Sequence, residues 1–182
     1  MAQAGEIMKV NRCIYCFAPL EEEPENEGQA EKRKKGHREP CPVCGYEDGL
    51  CMSDLRRLLP GTLLRGSYMV GKLLVVRKEE LIYLGFDLDR EQKTEIHEYF
   101  PESILVRDVS ASDEVHCVPG MEARFAKGQQ AFFEKVKLYY QCTSRIKKVQ
   151  MDFFVRNGTC YYVREREEAQ KGGSGRIQGV EL

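Results

Sequence analysis

Val149-Gln-Met-Asp-Phe-Phe-Val-Arg-Asn-Gly-Thr-Cys-Tyr-Tyr-Val163 is the stretch that decides the fold. Two apolar runs flank Asn157-Gly158, and Asn-Gly between such runs is the strongest short hairpin signal. Its two strands are expected at 149–155 and 159–163. Upstream, Phe125, Phe132, Phe133, Val136 and Tyr140 recur at helical spacing. They predict one helix over Met121–Gln141, with Gly128 as its weak point. Further upstream the period changes to that of strands. Ser67–Leu74, Glu80–Phe86 and Lys93–Phe100 read as three strands, with a charged turn at Arg77-Lys78-Glu79. Residues 102–120 read as irregular, with a short strand near 114–118. The expected order is three strands, one helix, two strands, which is an α+β lobe with a five-stranded antiparallel sheet.

Working outward to the N-terminus, the cysteines take over. Cys13-Ile-Tyr-Cys16 and Cys41-Pro-Val-Cys44 are two C-x-x-C knuckles. Two residues between thiolates let both sulfurs turn toward one ion, and two knuckles complete a tetrahedral four-thiolate shell for Zn2+. Gly45 permits a tight backbone turn after the second knuckle. Four thiolates leave no open position for water, so the ion is expected to be structural. The competing readings are a redox dithiol, which should sit near a βαβ pattern, and disulfides, which the cytosol disfavours. His37 could replace one ligand. Cys51, Cys117, Cys142 and Cys160 have no partner at metal spacing and read as small buried hydrophobes.

Between the knuckles, seven acidic residues and five Lys and Arg fall over positions 21–39. The basic run Lys32-Arg33-Lys34-Lys35 could touch nucleic acid, yet no aromatic residues are interleaved to stack on bases. The whole chain has 182 residues, 28 Lys and Arg, and 29 Asp and Glu. That balance disfavours bulk binding to nucleic acid or anionic membrane. No apolar run approaches the roughly 20 residues of a membrane span, and Met1–Val10 lacks the apolar segment of a signal peptide. A cytoplasmic protein is expected. The boundaries read as a ribbon at 1–52, a linker at 53–66 with a short helical turn from Asp54 to Leu59, a lobe at 67–168 and a flexible tail at 169–182.

Several words in a fixed order carry a resemblance: Leu59-Pro-Gly-Thr62, Tyr83-Leu-Gly-Phe86, Glu98-Tyr-Phe-Pro101, Arg107-Asp-Val-Ser110 and Asn157-Gly-Thr159. Together with the Cys pairs, they resemble bacterial serine/threonine kinases that carry an N-terminal zinc ribbon, over the ribbon and small lobe only. The resemblance implies a kinase-like N-lobe, and the departures from it imply loss of catalysis. Kinases place a glycine-rich loop over the ATP phosphates, grip them with a third-strand lysine, and pair that lysine with a helix glutamate. In ungapped register Val75, Arg77 and Glu80 stand at the three glycine positions, His97 at the lysine and Lys135 at the glutamate. A one-residue shift would bring Glu134 there instead. Glu80 would repel phosphate, and His97 is too short to replace a permanent ammonium. No His-Arg-Asp, Asp-Phe-Gly or Ala-Pro-Glu motif follows, and Asp152-Phe-Phe154 lacks the glycine.

The resemblance thus implies a pseudokinase-like, non-catalytic protein-interaction or regulatory module with structural zinc, no ATP and a protein partner. Apolar residues on the lobe's ATP-side face are expected to stay exposed or to meet that partner. Two alternatives stand beside it. One is half of an active kinase whose large lobe is supplied elsewhere; the other is a zinc-ribbon nucleic-acid binder. His97 also has the plain reading of a structural strand residue, and Arg164 onward that of a solvated charged end.

Overall fold

The computed structural model describes residues 11–20, 39–47, 56–108, 113–146 and 150–166. The elements in chain order are β1 (Leu63–Leu64), β2 (Tyr68–Val76), β3 (Glu80–Asp87), β4 (Gln92–Tyr99), β5 (Leu105–Arg107), β6 (Val115–Cys117), α1 (Glu122–Ser144), β7 (Met151–Arg156) and β8 (Thr159–Glu165). The main sheet runs β1-β2-β3-β4-β8-β7, and β5 pairs with β6 apart from it. Every pairing is antiparallel. The fold is α+β as expected, but the sheet has six strands rather than five. The extra strand is β1, two residues that two-residue periodicity cannot announce.

Strand register sorts the side chains into two faces. On one face Tyr83, Ile96, Phe154, Tyr161 and Val163 form the main core with Leu58, Leu64, Ile104, Leu105 and Val115. So Leu58 and Leu64, within the stretch expected as a linker, are buried, and β5–β6, expected as largely irregular, helps close the core. Of the expected helical turn, only residues 56–59 are described, and they form a turn, a bend and irregular chain rather than a helix. The acidic and basic loop, His37, Cys51 and the tail lie outside the described residues.

The opposite face carries α1 at one end. Phe132 and Val136 pack on Tyr99, Cys160 and Tyr162. Gly128 is a requirement here rather than a weak point. A Cβ at that position would sit 1.8 Å from the Tyr99 hydroxyl oxygen, so any larger residue would have to displace the buried Tyr99 ring or push the helix away from the sheet. Of the unpaired cysteines, Cys160 is buried as expected, whereas Cys117 is half-buried and Cys142 is exposed on α1. At the other end of the same face, Phe17 from the N-terminal segment packs on Met69, Leu84 and Phe86. The expectation of an apolar face left for a partner is therefore corrected at this end, because the chain's own Phe17 covers it.

Candidate functional site

Two clusters carry chemistry, and one face of the sheet joins them. The first is the cysteine cluster. Cys13 N–H donates to Ala18 O and Phe17 N–H to Cys13 O; Cys41 N–H donates to Tyr46 O and Gly45 N–H to Cys41 O. These bonds curl each C-x-x-C into a knuckle, and the Tyr15 and Tyr46 rings stack at 4.7 Å beside them. The ligand atoms of Cys13, Cys16, Cys41 and Cys44 all lie within 4.8 Å of one another. Cys13 Sγ is 3.8 Å from Cys44 Sγ, and Cys16 Sγ is 3.8 Å from Cys41 Sγ. A tetrahedron with Zn–S bonds of about 2.3 Å has edges of roughly 3.8 Å. The donor set and its spacing thus fit a four-thiolate metal site, and these distances are too long for disulfides.

Each knuckle ends on a residue with positive φ: Gly45 at 70° and Phe17 at 57°. Glycine adopts that conformation freely, whereas a side chain there costs about 1–2 kcal/mol. Fully burying a phenylalanine ring stabilises by about 1.5–3 kcal/mol, enough to offset the strain. Phe17 is 0% exposed. Its ring and Tyr15 O sit over Gly71 of β2, where a Cβ would be 2.7 Å from the ring and 2.8 Å from the carbonyl oxygen. Lys72 N–H donates to Tyr15 O at 2.9 Å, within the break in the β2–β3 register. The knuckle is therefore fastened to the sheet by a ring, a backbone bond and a glycine.

The second cluster gathers the residues that the sequence resemblance set at the nucleotide-site positions. Arg77 N–H donates to Glu80 O at 2.8 Å, closing a tight hairpin between β2 and β3 instead of a glycine loop. Val75 and Arg77 are exposed, but Glu80 is buried at the start of β3. Its Oε1 lies 2.8 Å from His97 Nδ1 and accepts from the Tyr162 hydroxyl at 3.4 Å. Its Oε2 accepts from Arg77 Nη1 at 3.1 Å and lies 3.6 Å from Lys135 Nζ. The His97 ring stacks on Tyr162 at 4.0 Å. His97 and Lys135 thus do meet, through Glu80, which stands between them as a shared anion. Glu134 points elsewhere, to Lys137 at 3.9 Å and Gln130 at 3.0 Å.

Burial would raise the Glu80 carboxyl, but the bond from His97 and the charges of His97, Lys135 and Arg77 hold it down at about 2. A depressed carboxyl contributes stability above its unfolded value of about 4.5 and loses it as pH falls toward 2. Acid titration of stability should therefore drop by on the order of 2 kcal/mol over that window, after allowance for solvent reaching Lys135 and Arg77. Glu80→Gln should remove this component, measured as urea unfolding free energy at stepped pH; a variant profile parallel to the parent's would refute it.

Beyond His97, Nε2 has no hydrogen-bond partner and lies 3.5 Å from Glu95 Oε2. Glu95 accepts from Arg164 Nε at 2.9 Å, and Arg164 Nη1 donates to the Tyr139 hydroxyl at 3.0 Å. Arg164 is thus part of the network rather than a solvated end. Burial tends to raise the Glu95 carboxyl, and Arg164 draws it below its usual range. Asp152 is no metal ligand of an Asp-Phe-Gly type. It sits on β7 and accepts from Arg65 at 2.7 Å and the Tyr68 hydroxyl at 3.2 Å. His116 is exposed on β6.

On the opposite face lies an ion pair that sequence reading does not reach. Glu98 accepts from Arg107 Nη2 at 2.5 Å, Tyr161 at 2.6 Å and Tyr83 at 3.0 Å, all buried. Arg107 also donates to Arg56 O and Asp113 O, so it ties three segments to the sheet. Burial and then the Glu98 charge push the Tyr83 and Tyr161 hydroxyls well above their usual range.

The fold is similar to that of a protein kinase. A solved bacterial serine/threonine kinase, PpkA-294 in its apo form, matches with a TM-score of 0.53 at 19% identity over 61% of this chain and 39% of that one. The chain thus spans about two fifths of that structure's length. No family model and no curated protein matches the sequence. No helix among the described residues is long and apolar enough to cross a membrane.

Proposed function

We propose that this chain is a non-catalytic interaction or regulatory module, a structural zinc ribbon fastened to a kinase-like N-lobe. One observation carries the reading. His97, which the sequence resemblance sets at the phosphate-gripping lysine, is buried and joined to Glu80, which the same resemblance sets at a glycine of the phosphate loop. Groups that would face a nucleotide's phosphates are instead joined to one another through Glu80, with an acid where phosphate would need a donor. Phe17 adds to this by covering Met69, Leu84 and Phe86 on the same face of the sheet. The four thiolates would hold Zn2+ as a structural ion, since none is left to be exchanged for a water ligand. The partner is read as another protein, and the near-neutral charge disfavours nucleic acid.

The test is a thermal melt with and without millimolar Mg-ATP. No change in Tm is expected. A saturable rise would favour the alternative, a lobe that binds nucleotide alongside a large lobe from another chain.

A further inference from the structure

The six-stranded sheet curls nearly into a barrel, and Arg65 and Tyr68 reach across to the Asp152 and Phe154 side chains. Among the described residues no strand pairing closes it, so it keeps two edges, and they are unlike. β1 is two residues long, too short to template another strand. β7 offers six residues, Met151–Arg156. It ends in Asn157-Gly158, with φ 50° and 73°, the left-handed pair of a two-residue hairpin turn. Such a turn makes Arg156 and Thr159 a hydrogen-bonded pair. Phe154 and Asp152 therefore also turn their backbone groups to β8, while those of Met151, Phe153 and Val155 point out of the sheet. Among the described residues no strand pairs with that side. β7 has no proline, no lysine and no break in its register with β8, and its only charges are one acid, Asp152, and one base, Arg156.

Apolar side chains lie beside these free groups. Val155 is 69% exposed, and Phe133 of α1, edge-on to Phe153 at 4.9 Å, is 38% exposed. Tyr140, two turns along α1 on the same side as Phe133, is also exposed.

We propose that β7 pairs antiparallel with β7 of a second copy of this chain, so that one sheet runs through both. The sequence Met-Asp-Phe-Phe-Val-Arg is self-complementary in that arrangement. With the two-fold axis at Phe154, Phe154 faces Phe154, Phe153 faces Val155 and Asp152 faces Arg156. Phe153 and Val155 are the residues with outward backbone groups, so both facing pairs can hydrogen-bond. A slip of one residue sets outward groups against inward ones. A slip of two loses the opposite charges. The bonds that Asp152 already accepts end on Oδ2, so Oδ1 faces no competition from them for the incoming guanidinium. Cross-strand pairs of opposite charge and of aromatic with β-branched residues are the favourable kinds.

Sedimentation velocity of the full, metal-loaded chain tests this. A reversible dimer is expected, with a Kd in the range of about 1–100 μM. Val155→Pro removes one outward N–H at an edge position that tolerates proline. Arg156→Asp sets two carboxylates face to face. Each should weaken the dimer by about tenfold or more while keeping the parent's far-UV circular dichroism. Should the proline variant not fold, Arg156→Asp gives the answer alone. A chain that stays monomeric at about 200 μM, or a dimer that the folded variants leave unchanged, overturns the proposal.

Discussion

Arg107→Leu should destabilise the protein by about 3–5 kcal/mol, because it leaves Glu98 charged and buried without its counter-ion. Arg107 and Glu98 both have side chains with 0% exposure, so no water can take over. For a chain of this size the loss corresponds to a fall in Tm of roughly 10–20 °C. The Tyr83 and Tyr161 hydroxyls still donate to Glu98, so the leftover charge is softened, not cancelled. The cost also includes the two carbonyls, of Arg56 and Asp113, that lose their donor. A double variant, Arg107→Leu with Glu98→Leu, should cost less than the sum of the two single changes, since it removes both charges. Denaturant melts of the four proteins form the cycle. Strict additivity would mean that the two charges do not depend on each other.

Stripping the metal should have the largest effect of all on the ribbon. Structural Zn2+ contributes on the order of 10 kcal/mol to folding in small four-ligand modules, and besides the cysteines the described ribbon segments bury only Phe17 and Ala18. Purified protein should carry close to one zinc per chain by elemental analysis, and a chelator or Cys13→Ser should unfold the ribbon. The effect should reach the sheet. The Lys72 amide donates to Tyr15 O, so its hydrogen exchange should accelerate once the knuckle opens. Less than about half an equivalent of zinc, with Cys13→Ser leaving the fold intact, would rule out a structural metal site.

Much of the frame was legible in the sequence. The Asn157-Gly158 turn, the helical spacing of Phe132 and Val136, and the paired cysteines each rest on local rules, and local rules survive folding. What escaped depends on distant partners. β1 and β5 have two and three residues, too few to show a period. Leu58 and Leu64 lie beside Pro60-Gly61, which reads as a connector until the core beneath is seen. Glu98 did leave a trace: it falls between Ile96 and Phe100 at an inward position of a strand, where a charge requires a buried partner. Nothing local identifies that partner as Arg107. Glu80 shows a different limit. Aligned to a glycine loop it reads as an obstruction, whereas in the fold it binds β3, β4 and α1 together.

Phe17 belongs to two folding units at once. Its backbone completes a metal knuckle and its ring completes the core under β2 and β3. Whatever closes the knuckle therefore also seats the ring, and by thermodynamic reciprocity a well-formed sheet must tighten the hold on the metal by the same factor. A ribbon peptide cut free of the lobe would bind zinc more weakly than the intact chain. The difference, read as a ratio of affinities, measures how strongly the two halves sense each other.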